Sequence, residues 1–285
     1  MPEPATHGTL YIVATPIGDL EDITYRAVRI LKEADLVACE DPRQTRKLLD
    51  HYGIEKPAIS YHEHNEAERA RQLIDKLQQG LTIAQVSDAG MPGISDPGYR
   101  VVKLAIEHGI RVVPVPGSSA IITGLAASGL PTDAFEFRGF LPAKSGQRRT
   151  ALEQMRDLQH TMIVYEAPHR ITETLVDMVV ILGADRLVVI ARELTKLHEE
   201  FIRGTASQVL ERLRGRELKG EITLLIGKAE KHASTAATNL RARVEALMHE
   251  QKLDEKSALK ALARETGLSK SELYRELQRT DRRKR

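Results

Sequence analysis

The sequence predicts an α/β fold with two α/β domains, a ligand cleft between them and a small all-helical domain at the C-terminus. Up to about residue 230, short apolar runs alternate with segments of helical periodicity, which favours strands joined by helices. From about His232 the strand pattern stops, and Ala, Lys, Arg, Glu and Leu dominate. We therefore expect an N-terminal domain at 1–117, a second domain at 118–231 and a helical domain at 232–285.

Composition restricts the class of protein. The 285 residues are 41% hydrophobic and 29% charged, which is typical of a globular protein. No apolar run approaches the roughly 20 residues that cross a bilayer, and the polar N-terminus has no signal-peptide core. We therefore expect a cytoplasmic protein without a membrane contact. The single cysteine, Cys39, excludes an internal disulfide and a cysteine zinc site, and we interpret it as a small core hydrophobe.

The elements of the first domain follow from apolar runs and helical spacing. Strands are predicted at 10–14, 36–39, 58–61, 81–86 and 111–115, and helices at 24–32, 65–79 and 99–108. A polar turn is expected at 40–43. Strands and helices that alternate in this way indicate a parallel sheet with crossover helices.

The second domain repeats the alternation. A helix rich in small residues is predicted at 120–129, and the chain starts again after Leu130-Pro131. Further strands are predicted at 135–137, 160–165, 186–192 and 222–226, and further helices at 147–157, 169–181 and 207–213. Because loops from two sheets then face one cleft, we expect the ligand site there.

The C-terminal segment is basic. Residues 231–285 carry 14 Lys and Arg against 8 Asp and Glu, whereas the rest of the chain is mildly acidic. Asp254 and Ser269 are plausible N-caps on either side of a turn at 266–268. A helix-turn-helix of this charge either contacts nucleic acid or only packs helices beneath a solvated basic face.

The stretch 87–98 lies between a buried strand and a helix. Its three glycines and two prolines let backbone groups approach a ligand while the loop stays stiff, and Asp88 and Asp96 add negative charge. Ligands of open α/β sheets bind at such carboxyl ends of strands. The alternative is a tight connection in which Asp96-Pro97 only caps the next helix.

Two further groups of polar residues are candidates for chemistry. The cluster 62–66, with His62, His64 and Glu66, is suited to metal binding or acid–base work, or it is a polar strand end that caps a helix. Arg43 and Arg46 either contact phosphate or begin a surface helix. The P-loop, dinucleotide-binding and H-E-x-x-H motifs are absent from the sequence, and we expect no metal.

Taken together and in this order, the loops resemble those of the tetrapyrrole methylase superfamily of S-adenosylmethionine-dependent methyltransferases. The segments that carry the resemblance are 13–18, 39–43, 61–66, 87–93, 114–119 and 165–170. The first loop is poorer in glycine than in tetrapyrrole-type members, and the central loop reads S-D-A-G instead of G-D-P, which counts against a porphyrin-type substrate. Within the superfamily, the chain is similar to bacterial enzymes that methylate a ribose of 16S ribosomal RNA.

The resemblance implies that S-adenosylmethionine, the methyl donor, binds bent in the cleft between two lobes. Carried over to this sequence, the donor-binding residues are Pro16, Asp88, Gly90, Met91, Ile94, Ser118, Ser119, Tyr165, Ala191 and Thr223. The resemblance further implies a homodimer that methylates the 2′-hydroxyl of a cytidine in the decoding region of 16S rRNA, in the small ribosomal subunit.

Methyl transfer to a hydroxyl is accelerated by positioning, and a base that removes the proton helps further. We expect His64 or Glu66 as this catalytic base, and Arg43, Arg46 and the basic tail as RNA contacts. Two alternatives stay open. Methylation of a tetrapyrrole precursor would not need the basic tail, and a non-catalytic RNA-binding ribosome factor would not bind the donor.

Overall fold

Ten strands in the described part of the chain form two separate five-stranded sheets. The structure, a computed structural model, describes residues 7–229, 243–249, 253–266 and 273. The chain divides into two compact units, Met1–Ala229 and Glu230–Arg285. The first unit holds both sheets, and we call the part built on the first sheet the first lobe and the part built on the second sheet the second lobe.

The first sheet is entirely parallel. Its strands are β1 (Thr9–Val13), β2 (Leu36–Cys39), β3 (Ala58–Ser60), β4 (Ile83–Gln85) and β5 (Arg111–Val115). They lie in the order β3-β2-β4-β1-β5. The strands β2 and β4 are buried along their whole length, as expected of inner parallel strands covered on both faces. The carboxyl ends of β1, β2 and β4 are therefore neighbours.

Helices cover both faces of this sheet. They are α1 (Tyr25–Glu33), α2 (Pro42–His51), α3 (Glu66–Gln78) and α4 (Tyr99–Glu107). Apolar side chains of α3 and α4 form one core cluster with the sheet, and those of α1 and α2 form another on the opposite face. Cys39 is fully buried in the second of these clusters, as the sequence predicts.

The second sheet is mixed. Its strands are β6 (Phe135–Phe140), β7 (Thr161–Glu166), β8 (Leu187–Arg192), β9 (Glu200–Thr205) and β10 (Ile222–Ile226). They lie in the order β6-β7-β10-β8-β9, in which only β6 and β7 pair in parallel. The helices of this lobe are α5 (Ala120–Ser128), α6 (Ser145–Met155), α7 (Ile171–Leu182) and α8 (Ala206–Arg212). The helices α6, α7 and α8 pack on one face of the sheet, and α5 packs on the other.

Two elements depart from the sequence-based expectation. The segment 40–43, expected as a polar turn, leads directly into α2, because Asp41 caps the helix by accepting from the Arg43 N–H at 2.9 Å and Pro42 occupies the first helical position. The strand β9 was not predicted. Only one of its six residues is fully buried, so its sequence has no clear alternation.

The second unit is helical where it is described. Residues 243–249 and Glu255–Thr266 are helices, and Val244, Leu247, Leu259 and Leu262 share a small apolar core. Asp254 caps the latter helix by accepting from the Ser257 N–H at 3.1 Å, as predicted. The predicted cap Ser269 lies outside the described residues. None of the described helices is long and apolar enough to cross a membrane.

Candidate active site

The loops that follow β1 and β4 are joined by backbone hydrogen bonds. The Thr15 N–H donates to the Gly90 carbonyl at 2.9 Å, and the Gly90 N–H donates back to the Thr15 carbonyl at 3.1 Å. The Thr15 hydroxyl also donates to the Ser87 carbonyl at 3.1 Å. The loop 87–98, which we call the central loop, is therefore fixed against the loop of β1 at the carboxyl edge of the sheet.

The central loop folds back on itself, and this requires glycine at position 98. Gly98 has φ of 156°, and a Cβ there would lie 2.8 Å from Gln85 Nε2 and 2.9 Å from the Gly93 nitrogen. The buried Gln85 amide donates to the Pro97 carbonyl at 3.0 Å. Ser95, a residue other than glycine, is held at φ of 62°. Such a conformation persists only where the surroundings enforce it, and it fixes the direction of the Asp96 backbone that follows.

The second lobe contributes three adjacent strands to the site. Thr223 on β10 lies opposite Tyr165 on β7 and opposite Ala191 on β8. The ring of Tyr165 packs against Phe137 and Phe140, at centroid distances of 5.0 and 5.4 Å. Burial, together with the Asp96 and Glu221 carboxylates, raises the pKa of Tyr165 to about 12. Tyr165 is therefore a neutral hydrogen-bond donor at neutral pH.

A cavity of about 790 Å³ lies between these loops and strands. The first lobe contributes Ile17, the central loop and the turn before α5, and the second lobe contributes the strand ends just described. The charged residues among the described lining are Asp96, Glu166 and Glu221, with no Lys or Arg. The volume is within the range of small-molecule sites. Glu166 is paired with Arg170 at 2.6 Å and Glu221 with Lys196 at 3.1 Å, so Asp96 is the lining carboxylate without an ion pair among the described residues.

Seven of the ten predicted donor-binding residues line this cavity. They are Gly90, Met91, Ile94, Ser119, Tyr165, Ala191 and Thr223. Pro16, Asp88 and Ser118 do not line it, although the neighbours Ile17, Ala89, Gly117 and Ser119 do. The Ser118 hydroxyl instead donates to the Asp22 carbonyl at 3.3 Å, and Asp88 accepts from the Asp41 N–H at 3.2 Å.

The aromatic wall of the cavity was not anticipated. Phe135, Phe137 and Phe140 all line it, and Phe140 is 59% exposed. The chain has only four phenylalanines, so three of them within six residues was a signal that could have been used. Glu221 was also missed, because it precedes β10 in a segment without a motif.

A second hollow of about 630 Å³, which we call the helix groove, adjoins the cavity. It is bordered by α3, α4 and the central loop, and it shares Ser95 and Asp96 with the cavity. These two residues therefore form the boundary between a mainly apolar hollow and a strongly charged one.

Carboxylates accumulate where β2 and β4 end. Burial raises the pKa of Asp96, and the Asp88 carboxylate raises it further, against a hydrogen bond from Ser87. Burial also raises the pKa of Glu40, and the carboxylates of Asp96, Asp88 and Asp41 raise it further. Burial raises the pKa of Asp88 against a hydrogen bond from the Asp41 N–H, and the Asp41 carboxylate adds to the rise. None of the described Lys, Arg or His side chains forms an ion pair with Asp96, Asp88 or Glu40. Among the described residues, no acidic, His or Cys cluster is arranged to hold a metal.

The predicted catalytic pair lies outside the cavity lining. Glu66 lines the helix groove, where it accepts from the Tyr61 hydroxyl at 3.0 Å and from the backbone N–H groups of Gly98 and Arg100 at 3.4 Å. It thereby supplies the N-terminal cap that α4 lacks from its own residues. His64 is exposed, and the centroid of its ring lies 5.9 Å from that of the His62 ring.

The predicted RNA contacts lie on α2. Arg43 is largely exposed and forms an ion pair with Asp41 at 2.9 Å. Arg46 donates to the Lys56 carbonyl at 3.3 Å and lies 3.9 Å from Asp50. Neither lines the cavity or the helix groove.

Comparison with known proteins gives consistent matches. The family described as Tetrapyrrole (Corrin/Porphyrin) Methylases matches residues 9–210. The protein named ribosomal RNA small subunit methyltransferase I from Halalkalibacterium halodurans is 50% identical, over 94% of this chain and 93% of the relative. The protein of the same name from Synechocystis sp. is 47% identical, over 94% of this chain and 96% of the relative.

Solved structures share the fold at low identity. Uroporphyrin-III C-methyltransferase from Thermus thermophilus, complexed with S-adenyl homocysteine, aligns with a TM-score of 0.55 at 20% identity, over 78% of this chain and 98% of that one. Diphthine synthase aligns with a TM-score of 0.59 at 15% identity, over 78% of this chain and 90% of that one. The two-lobed architecture is therefore common to proteins with different substrates.

Proposed function

This chain belongs to the tetrapyrrole (corrin/porphyrin) methylase family, and we propose that within it the chain transfers a methyl group from S-adenosylmethionine to RNA of the small ribosomal subunit. The finer proposal is 2′-O-methylation of a cytidine ribose in the decoding region of 16S rRNA. The observation that carries the proposal is the cavity between the lobes, in a chain 50% identical over 94% of its length to a protein named for rRNA methylation.

The cavity suits the donor chemically. Bound there, S-adenosylmethionine supplies an electrophilic methyl group on a cationic sulfonium. The Phe137 and Phe140 rings and the apolar side chains of Met91 and Ile94 offer a surface for a nucleoside. The Asp96 carboxylate, which has no ion pair among the described residues, opposes the positive charge of such a donor, whereas Glu221 is already paired with Lys196 at 3.1 Å. The seven lining residues named above are the donor-binding residues of this proposal.

Electrostatics favour RNA over a tetrapyrrole precursor as the acceptor. Uroporphyrin-type precursors carry several carboxylates, which need cations around the ring. The described lining of the cavity has none, and the helix groove has five carboxylates against three cations. A nucleoside is neutral apart from its phosphates, and those can lie outside the hollow. The basic segment 231–285 adds a further source of attraction for phosphate.

The proposal includes finer expectations that follow from the substrate and the family. An enzyme of ribosomal RNA acts in the cytoplasm and binds RNA, and the homodimer expected from the resemblance is part of the proposal. Arg43, Arg46 and the basic tail are the proposed RNA contacts, and Arg43 and Arg46 lie outside the two hollows.

The test is to map 2′-O-methyl groups on 16S rRNA. Small ribosomal subunits are purified from cells that lack this protein. They are incubated with S-adenosylmethionine in the presence and in the absence of the purified protein. We expect one additional methyl group, on a cytidine ribose, only in the presence of both. Calorimetry with the donor separates the alternatives, because a non-catalytic ribosome factor would give no heat of donor binding, and a tetrapyrrole methylase would bind donor but leave the rRNA unchanged.

Truncation at residue 231 is expected to separate donor binding from RNA recognition. Met1–Ala229 forms its own compact unit, so the donor affinity of the shortened chain should match that of the full chain. Methylation of small subunits at limiting concentration should fall by on the order of 100-fold, since a net surplus of basic residues that attract phosphate is lost. If the shortened and full-length proteins methylate small subunits equally well, the proposal that the basic tail contacts RNA is wrong.

A further inference from the structure

We infer that residues 141–147, which we call the α6 turn, bind the phosphate backbone of the RNA strand beside the nucleotide that is methylated. The α6 turn connects β6 to α6 and includes the first turn of that helix. The inference rests on the proposed function. It adds a contact on the second lobe to the RNA contacts proposed above, Arg43, Arg46 and the basic tail.

The α6 turn begins at the wall of the cavity between the lobes. Phe140, the last residue of β6, lines the cavity, and the Leu141 N–H donates to the Tyr165 carbonyl at 3.4 Å. Lys144 comes four residues after Phe140, so the Cα atoms of the two residues are at most about 14 Å apart. A strand that presents a ribose to a methyl group in the cavity therefore carries neighbouring phosphates past the α6 turn.

The charge of this part of the chain suits a polyanion. Residues 138–149 contain four basic residues and no acidic residue. Three of the four are arginines, and each forms an ion pair with a carboxylate outside the segment. The fourth is Lys144, which is exposed and has no ion pair among the described residues. Its ammonium group is therefore available to a phosphate oxygen.

The start of α6 has more hydrogen-bond donors than acceptors. The helix begins after Lys144 without a side-chain cap, and no acidic residue lies in its first turn. Its first N–H groups are therefore open at the positive end of the helix dipole. Arg148 Nη1 also has no hydrogen-bond partner, although the Arg148 side chain is only 3% exposed. An excess of donors at this point favours a ligand that brings only acceptors, as a phosphate does.

The α6 turn has space for such a strand. Residues 143–147 are all exposed, and a Cβ placed on Gly146 would meet no atom within 4 Å. The described lining of the cavity has carboxylates and no Lys or Arg, so phosphates that flank the target nucleotide need their cations outside it. An acidic protein surface would also be attracted to these charges, but only the methylated strand has to pass the cavity.

Two positions in the α6 turn allow matched substitutions. Gly146→Glu and Gly146→Gln add side chains of similar size at an open position, and only the first adds a negative charge. Lys144→Ala removes a positive charge, and Lys144→Arg retains it. Lys32→Ala is the control for Lys144→Ala, because Lys32 on α1 is likewise exposed and lines neither hollow.

The experiment measures the affinity of each full-length protein for naked 16S rRNA and for small subunits at several salt concentrations. Lys144→Ala should weaken binding on the order of 10-fold at low salt. It should also reduce the slope of log affinity against log salt by about 0.7 to 0.9, as for the loss of one phosphate contact. Lys144→Arg should restore both values, and Lys32→Ala should match the wild type.

The comparison of Gly146→Glu with Gly146→Gln separates charge from folding. A carboxylate in the first turn of a helix favours the helix, so Gly146→Glu should unfold at a temperature no lower than that of Gly146→Gln. It should nevertheless bind rRNA on the order of 10-fold more weakly, because its charge repels phosphate. Calorimetry should give both proteins the same affinity for S-adenosylmethionine.

Three results would contradict the inference. The first is a folded Lys144→Ala protein with the affinity and salt slope of the wild type. The second is an equal loss of affinity in Lys32→Ala. The third is a loss that occurs with small subunits but not with naked rRNA, which would mean that the α6 turn contacts a ribosomal protein. These measurements need no methyl transfer, so a wild-type protein that binds donor but leaves the rRNA unmethylated would instead overturn the proposed function.

Discussion

Tryptophan in place of Ala89 is expected to weaken S-adenosylmethionine binding at least about 100-fold, or 2.7 kcal/mol. Ala89 lines the cavity between the lobes and is exposed in the free protein, so a larger side chain can be accommodated at the surface and compete with the donor for space. Because small-molecule sites bury most of their ligand, a side chain of this size excludes it by volume. Isothermal calorimetry with the donor measures the effect.

The matched control is Ala126→Trp. Ala126 is likewise exposed, but it lies on α5 away from the described cavity lining. This variant should bind the donor with wild-type affinity, and both variants should unfold at temperatures close to that of the wild type. Wild-type affinity in a folded Ala89→Trp protein would place the donor elsewhere.

Alanine in place of Asp177 is expected to lower the free energy of unfolding by about 3–5 kcal/mol, because it removes the buried counter-charge of the Arg148 guanidinium. The remaining carboxylate partner is the largely exposed Glu173 at 3.4 Å. Asp177 on α7 accepts from Arg148 Nε at 2.8 Å and from Arg149 Nε at 2.7 Å, both on α6. The side chains of Arg148 and Asp177 are only 3% and 4% exposed. Chemical denaturation monitored by circular dichroism gives the free energy.

Arg149→Ala serves as the control for this pair. The Arg149 side chain is 53% exposed, so its removal should cost no more than about 1 kcal/mol. An Asp177→Ala protein as stable as Arg149→Ala would mean that Arg148 finds water or another partner.

The same pair predicts a pH dependence. Burial alone would raise the pKa of Asp177, but hydrogen bonds from Arg149 and Arg148 lower it below its usual value. The stabilisation is therefore complete above the ordinary aspartate pKa of about 3.9 and is lost as the pH falls through the lower folded-state value. The difference in stability between wild type and Asp177→Ala should shrink over this acid range and stay constant from pH 5 to pH 7.

Much of the first lobe could be predicted from the sequence, because buried parallel strands are continuous apolar runs. The strands β2 and β5 begin and end where the apolar pattern does. In contrast, β9 contains Glu200, Arg203 and Gly204 and pairs on one side only, so local pattern could not distinguish it from a loop. The antiparallel pairing in the second sheet depends on which strand ends meet, and no single segment contains that information.

The site could be predicted where the composition of a loop itself indicates ligand binding. The glycines and prolines of the central loop pointed to the residues that now border the cavity. The helix groove was not foreseen, because Tyr99 and Lys103 fit an ordinary helical pattern, and only packing brings them beside Asp96. Asp96 itself was noted as a possible cap, but α4 is capped from another helix by Glu66.

Cys39, the last residue of β2, has a buried side chain that can report on local opening of the first lobe. It is the only thiol in the chain, it is 0% exposed, and burial raises its pKa, so an alkylating reagent finds neither access nor thiolate in the closed state. Its partner across the strand pair is Ser60 on the edge strand β3. The rate of alkylation therefore measures how often the edge of the first lobe opens, independently of events in the second lobe.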